Sequence, residues 1–351
     1  KFQTFLDSGY YILGQEVSNF EENFANYCGT KFCVGSSNGL DALILIFKAF
    51  IELGVLNTDD EVIVPANTYV ASILSVMHSG LKPILVEPDE KTFNLNPSEI
   101  EKHITPKTKA ILAVHLYGQL ADMYSINSIA NTHNLIVIED AAQALGSEYK
   151  NKKIGTFDHT TTFSFHIAKQ ITTIEGGCVS TPNKDVSQKI KQLRDHGRTN
   201  SKNYTHDMIG SNFRITDLQS SIGLEQIQKI DQYLSRREEI SKKYRDNIKN
   251  TQFQQLPNFS LRHSNMMFFA IYPNKEIRDR NFHILQENGI DAKLPWPPLH
   301  IQPANPELNN QSHKNTELIS NSSLMLPIFN TMTDEEVEYV IDCCNSVNTM
   351  N

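Results

Sequence analysis

Leu135-Ile136-Val137-Ile138-Glu139-Asp140-Ala141-Ala142-Gln143 is an apolar run that ends in two carboxylates and a turn of small residues. Twenty-nine positions beyond Asp140, the segment Phe163-Ser164-Phe165-His166-Ile167-Ala168-Lys169 ends in a lysine and leads into Thr172-Thr173-Ile174-Glu175-Gly176-Gly177. A run that is apolar throughout, rather than alternating, belongs to a strand buried on both faces, as in a parallel sheet covered by helices. The runs Glu61–Pro65, 83–87 and 110–115 share this character, and the more mixed 161–165 and Gly177–Thr181 also read as strands beside 135–139. Helical patterns separate the earlier ones. The clearest is 38–53, with Leu40, Leu43, Ile44, Phe47, Phe50 and Ile51 on one face and Gly54 as its stop; 67–79 and 122–133 are similar. This alternation predicts an α/β fold with a mostly parallel central sheet. The runs 161–165 and 177–181 follow each other without a long helix, so the sheet departs from simple βαβ repetition there.

Past the sheet, Thr216-Asp217 caps a long helical pattern running to about residue 245. A strand candidate (266–272), a helix (276–288), an irregular proline-rich stretch (295–303) and a last helix opened by a capping box, Thr333 to Glu336, follow. The Asn-rich stretch 305–321 reads as a surface loop. The expected organisation is an N-terminal segment and large domain over 1–215, a connecting helix over 216–245, and a small C-terminal α/β domain over 246–351. A chain of 351 residues, 39% hydrophobic and 21% charged, can supply a core to each. A net charge of −8 argues against nucleic acid as a partner, whose binders are basic. No apolar run reaches the ~18 residues of a membrane-spanning helix, so no membrane partner is expected. The five cysteines are odd in number and irregular in spacing, and the opening Lys1-Phe2-Gln3-Thr4 is not a signal peptide; both favour reduced thiols and a cytoplasmic location. Cys28 and Cys33 have half-site spacing without a second half, so no metal is expected and they read as small core fillers.

Asp140 lies at the carboxyl end of a parallel strand, where such sheets bind ligands; taken alone it would be a helix cap. Lys169 alone would be a solvated lysine, but Phe163, Phe165 and Ile167 predict partial burial, which lowers an amine's pKa and frees it as a nucleophile. Together, a strand-end carboxylate and a half-buried amine suit pyridoxal phosphate: the amine binds it covalently and the carboxylate keeps its ring nitrogen protonated. Ser164 is placed to donate to the phosphate, and Thr172, Thr173, Gly176 and Gly177 make a turn with little bulk. Ser36-Ser37-Asn38-Gly39 precedes the first strong helix and offers amides and polar side chains to an anion, although such residues also cap ordinary helices. Tyr69 follows a strand and could stack on a flat ring or sit in a core. His166 is a candidate substrate contact. Arg198 is another, against the plainer reading of a solvated basic face shared with Arg194 and Lys202. His115, His196 and His300 read as satisfied polar residues.

With these residues in hand, the chain resembles the DegT/DnrJ/EryC1/StrS sugar aminotransferases over nearly its whole length. The matching segments are Gly35-Ser36-Ser37-Asn38-Gly39-Leu40-Asp41-Ala42-Leu43, Pro65-Ala66-Asn67-Thr68-Tyr69, His115-Leu116-Tyr117-Gly118-Gln119, Glu139-Asp140-Ala141-Ala142-Gln143, Ser164-Phe165-His166 through Lys169, Glu175-Gly176-Gly177, Gly210-Ser211-Asn212-Phe213-Arg214, Asp217-Leu218-Gln219 and Pro298-Leu299-His300. The resemblance implies the aspartate-aminotransferase-like fold type I of pyridoxal-phosphate enzymes, as a homodimer with shared active sites. It implies that Lys169 holds the cofactor and moves protons, Asp140 pairs with its ring nitrogen, Gln143 contacts its ring hydroxyl and Tyr69 stacks on the ring. Ser37, Asn38 and Ser164 would hold the phosphate with Asn212 from the neighbouring subunit, and His300 joins His166 and Arg198 as a candidate substrate contact.

The implied reaction is transamination from L-glutamate, released as 2-oxoglutarate, to a keto group of a nucleotide-linked 6-deoxyhexose, for a surface glycan or O-antigen. Asn38–Leu43, Ala66–Tyr69, His115–Gln119 and the opening 5–14 look like enzymes that aminate C3 of dTDP-3-keto-6-deoxyhexoses. Phe165-His166-Ile167-Ala168-Lys169 and Asn212-Phe213-Arg214-Ile215-Thr216-Asp217 look more like the 4-keto enzymes. C3 is the expectation and C4 the alternative. A pyridoxal-phosphate sugar dehydratase would carry histidine in place of Lys169, and a non-catalytic sugar-nucleotide regulator would have a damaged Lys/Asp pair; here both residues are present.

Overall fold

The computed structural model describes residues 5–7, 9–150, 152–199, 205–257, 260–304, 308 and 311–348. Its centre is a seven-stranded sheet: β1 (Phe32–Ser36), β2 (Glu61–Pro65), β3 (Lys82–Val86), β4 (Thr108–Val114), β5 (Ile136–Asp140), β6 (Thr160–Ser164) and β7 (Gly177–Thr181), in the order β1-β7-β6-β5-β4-β2-β3. The pairs from β3 to β6 are parallel, and β7 runs antiparallel to both its neighbours. A short connection without a helix returns the chain beside the strand it has just left, which reverses β7. β1 is a strand the sequence reading did not anticipate, because its Phe32-Cys33-Val34-Gly35-Ser36 is too short and too mixed to stand out.

The sheet is covered on both faces, and alternate residues part accordingly. Val62, Val64, Leu112 and Ile138 enter one core; Ile63, Ile111, Ala113 and Val137 enter another. Helix Gly39–Glu52 buries Ala42 through Phe47 without a break, so it is enclosed on nearly all sides rather than amphipathic as expected. At the other end of the sheet Phe20, Phe24, Phe163 and Phe165 pack edge to face, with ring centroids 5.0–5.3 Å apart between Phe163 or Phe165 and the helix Gln15–Cys28. Cys28, Cys33 and Cys178 are buried in that cluster as free thiols.

A second, smaller sheet joins Gln252–Phe253, Phe268–Ile271 and Ser323–Leu326, all antiparallel, with helices Ile230–Asn247, Lys275–Glu287 and Asp334–Asn348 in this lobe. Two expectations are corrected. The pattern over 216–245 is not one helix but two, Asp217–Ile227 and Ile230–Asn247. The break falls at Gln228-Lys229, where neither Gly nor Pro announces it. Within the stretch read as a surface loop, Lys314–Ser322 is a helix. The backbone amides of Asn315 and Thr316 donate to the Glu87 carboxylate (2.9 and 3.1 Å), a tertiary contact at the helix N-terminus that polar composition conceals. The expected capping box of Thr333 with Glu336 forms, and the Thr216 cap is also a box, completed by Gln219.

Candidate active site

The register brings Asp140 and Ser164 together at the carboxyl end of the parallel strands of the large sheet. Asp140 at the end of β5 pairs with Val114 of β4 and Thr162 of β6, while Ser164 and Ser36 both pair with Gly177. Asp140 is 6% exposed. Its Oδ1 accepts from the Ala142 amide (3.0 Å) and its Oδ2 from the Ser72 hydroxyl (3.1 Å), which in turn contacts Thr68. Burial raises its carboxyl pKa, and the Ala142 and Ser72 hydrogen bonds and the charge of Lys169 reduce that rise without cancelling it. Lys169 is half-buried in the connection after β6, and burial lowers its pKa against the pull of Asp140 and Glu175. Each group acts on the other's charge, and burial favours the neutral form of both. Ser72 carried no signal in the sequence.

Next to this pair lies a cradle of close backbone. A Cβ at Gly39 would stand 2.9 Å from Ser164 Cβ, and one at Gly177 2.4 Å from the Asn38 carbonyl oxygen. Of the first amides that a helix leaves unpaired, the Asn38 side chain takes one, its Oδ1 accepting from Asp41 (2.9 Å), while its backbone carbonyl accepts the first regular helix bond from Ala42 (3.1 Å). The amides of Gly39 and Leu40 remain as donors for an anion. Ser37 Oγ and Asn38 Nδ2 both donate to the Asp41 carboxylate. Ser164 Oγ accepts from the His166 amide (3.4 Å).

Tyr69 is 48% exposed, and its ring centroid lies 5.1 Å from Trp296. Gln143 is buried and its Oε1 accepts from the Tyr117 amide (2.7 Å). Trp296 was hidden by its proline-rich surroundings, and Tyr117 by reading as one more core aromatic. Asn212 is exposed, with Oδ1 accepting from Arg214 Nε (2.8 Å); the next residue's carbonyl, on Phe213, accepts from the Ser37 amide. Arg198 donates to both oxygens of Asp195 (2.7 and 2.6 Å), and its guanidinium helps hold that carboxyl low against the effect of burial. Arg194 belongs to no solvated basic face: it is 6% exposed, hydrogen-bonded to Glu21 and the Gly35 carbonyl. Lys202 lies outside the described residues. His166 is exposed, 3.7 Å from Glu175. His300 is 1% exposed, with Nε2 3.0 Å from Glu317 and its ring against His313.

Glu139, adjacent to Asp140, alternates away from it along the strand and is fully buried. His115 Nε2 lies 2.8 Å from one oxygen and His159 Nδ1 2.7 Å from the other. The Ala121 amide donates to His115 Nδ1, which leaves Nε2 as the nitrogen that donates to Glu139. Burial would raise the Glu139 carboxyl, but the two histidines override it and hold it at about 2. A depressed carboxyl stabilises the fold above its ordinary value of 4.5, and this contribution is lost as pH falls from there towards 2. Glu139→Gln is therefore expected to destabilise the protein by about 3–5 kcal/mol at neutral pH. In urea melts the gap to wild type should narrow below pH 4.5; a gap independent of pH would contradict the charge-based account.

A half-buried amine and a buried strand-end carboxylate that act on each other's charge, with unpaired helix amides and a glycine-lined cradle, fit pyridoxal phosphate and a fold type I transferase. The chain matches the DegT/DnrJ/EryC1/StrS aminotransferase family over residues 1–345 and belongs to it. It is similar to a dTDP-3-amino-3,6-dideoxy-alpha-D-galactopyranose transaminase of Aneurinibacillus thermoaerophilus, 42% identical with 97% of this chain and 92% of that protein covered. It is also similar to the GDP-perosamine synthase of Caulobacter vibrioides, at 37% with 95% and 91% covered. The solved structure of S. venezuelae DesV superposes with a TM-score of 0.91 at 32% identity, covering 99% of this chain and 92% of that one. The protein is a pyridoxal-phosphate-dependent sugar-nucleotide aminotransferase. Among the described residues no helix is long and apolar enough to cross a membrane.

Proposed function

We propose that this chain transfers the amino group of L-glutamate to C3 of a dTDP-linked 3-keto-6-deoxyhexose. The observation that carries the reading is the Lys169–Asp140 pair in a chain 42% identical to a transaminase of a dTDP-3-amino sugar. When bound, pyridoxal phosphate supplies the carbonyl that takes up the amine and an electron-poor ring. Lys169 would hold it covalently and, when free, would carry a proton at Nζ; burial keeps a larger share of that amine neutral at working pH. Asp140 would pair with the ring nitrogen, Gln143 with the ring hydroxyl, and Tyr69 would stack on the ring. The Gly39 and Leu40 amides, Ser37, Asn38 and Ser164 would hold the phosphate. Using one amine site for both half-reactions predicts ping-pong kinetics.

The protein works in this reading as a cytoplasmic homodimer, with Asn212 of the partner subunit completing the phosphate site. The exposed Ile167 and Ile174, which flank Lys169 in its loop, support an interface there. His166 and Arg198 remain the proposed substrate contacts, Arg198 by exchanging Asp195 for a sugar nucleotide, while His300, buried at 1% exposure, would have to leave Glu317 to become one. The amino sugar would serve a surface glycan such as O-antigen. The second reading, amination at C4, rests on the lysine segment, and the likeness to GDP-perosamine synthase brings guanine as the other base. The loaded enzyme is to be given L-glutamate and, separately, dTDP-3-keto-, dTDP-4-keto- and GDP-4-keto-6-deoxyhexoses. Mass spectrometry should find the amine on the first; an amine on either 4-keto sugar alone overturns the C3 assignment.

A further inference from the structure

We propose that Trp296 is a positioning residue through which the small lobe tightens the hold on the cofactor, by bracing Tyr69 and Tyr117. This rests on the reading of Tyr69 and Gln143 given above. The chain has a single tryptophan, and Pro295, Pro297 and Pro298 surround it. Proline locks φ, so the indole reaches its place with little freedom left to lose. From there it touches two residues of the large lobe, Tyr69 at 5.1 Å and Tyr117 at 5.7 Å between ring centroids.

Each contact leads to the cofactor by a separate route. Tyr69 sits in the turn after β2, 48% exposed, so the indole is the aromatic surface holding its ring in one orientation. Tyr117 is fixed from both ends. Its ring also packs on Phe269 of the small sheet (4.3 Å), and its amide donates to Gln143 Oε1 (2.7 Å), which orients the Gln143 side chain. Tyr117 also holds a left-handed φ of 62°, unusual for a bulky residue and kept only where surrounding contacts enforce it. At the following Gly118 a Cβ would stand 2.4 Å from Ser264 Oγ, so the turn has no room to shift towards the small lobe.

The test is titration of apoprotein with pyridoxal phosphate, read by cofactor absorbance, for wild type, W296F, W296A, Y69A and the W296A/Y69A double variant. W296A is expected to raise the Kd roughly five- to tenfold, and W296F to stay within about twofold. The double variant should lose more than Y69A alone but less than the sum of the two single losses, because one of the two routes passes through Tyr69 and the other through Tyr117. Tryptophan emission of Y69A, which keeps Trp296, should shift to the red. A W296A protein with wild-type Kd, additive losses in the double variant, or unshifted emission in Y69A would each overturn the proposal. A merely structural Trp296 would lower the melting temperature and leave the Kd alone. Wild-type Kd in Y69A would instead overturn the assignment of Tyr69 itself.

Discussion

Lys169→Ala is expected to fold normally and to lose turnover by at least ~10⁴-fold, the upper range for removing a positioned acid–base group, with the covalent route lost as well. Lys169 is the one amine placed to face Asp140 in this reading, and burial has already lowered its pKa. Truncation removes a group whose charge burial disfavours, so the melting temperature should hold or rise. Two measurements check this: sugar amination by mass spectrometry, and covalent capture of the cofactor by borohydride reduction. Turnover within tenfold of wild type, or borohydride capture on another residue, would remove Lys169 from the mechanism.

Asp140→Asn should lower kcat by about 10²–10³-fold, the range found when a preorganised electrostatic partner is lost. The replacement is nearly isosteric. An amide oxygen can still accept from Ala142, and the Ser72 hydroxyl can turn from donor to acceptor. What disappears is the negative charge that the ring nitrogen needs. The same charge is a burden on the fold. Burial raises the Asp140 carboxyl above its ordinary 3.8, so its ionisation subtracts stability as pH rises through that raised value. D140N is therefore expected to melt at or above the wild-type temperature at neutral pH while turning over far more slowly. A variant that loses stability and activity together would make Asp140 a structural cap rather than the ring's partner.

Much of the architecture could be read from local pattern. The apolar runs at 61–65, 135–139 and 177–181 are strands, and the crowding of 161–165 and 177–181 foreshadowed the reversed β7. β1 and the break at Gln228-Lys229 escaped because neither has a local marker. The helix at Lys314–Ser322 escaped because its anchor, Glu87, is distant in sequence. At the site, Asp140, Lys169 and the Ser37–Gly39 corner were visible as residue types placed at strand ends and turns. Ser72, Tyr117 and Trp296 were not, since their part depends on what each meets across the fold.

The sequence by itself determined that this is a mostly parallel α/β chain carrying an aspartate at the end of one strand and a lysine in the turn that follows another, because hydrophobic period and turn chemistry act over a few residues. Only the tertiary structure decided that β7 enters between β1 and β6, which brings Ser36, Ser164 and Gly177 to one edge. It also decided that Ser72 meets Asp140 and that Trp296 meets Tyr69. Such contacts follow from strand order, register and the packing of one lobe on the other, and no local window of the chain contains them.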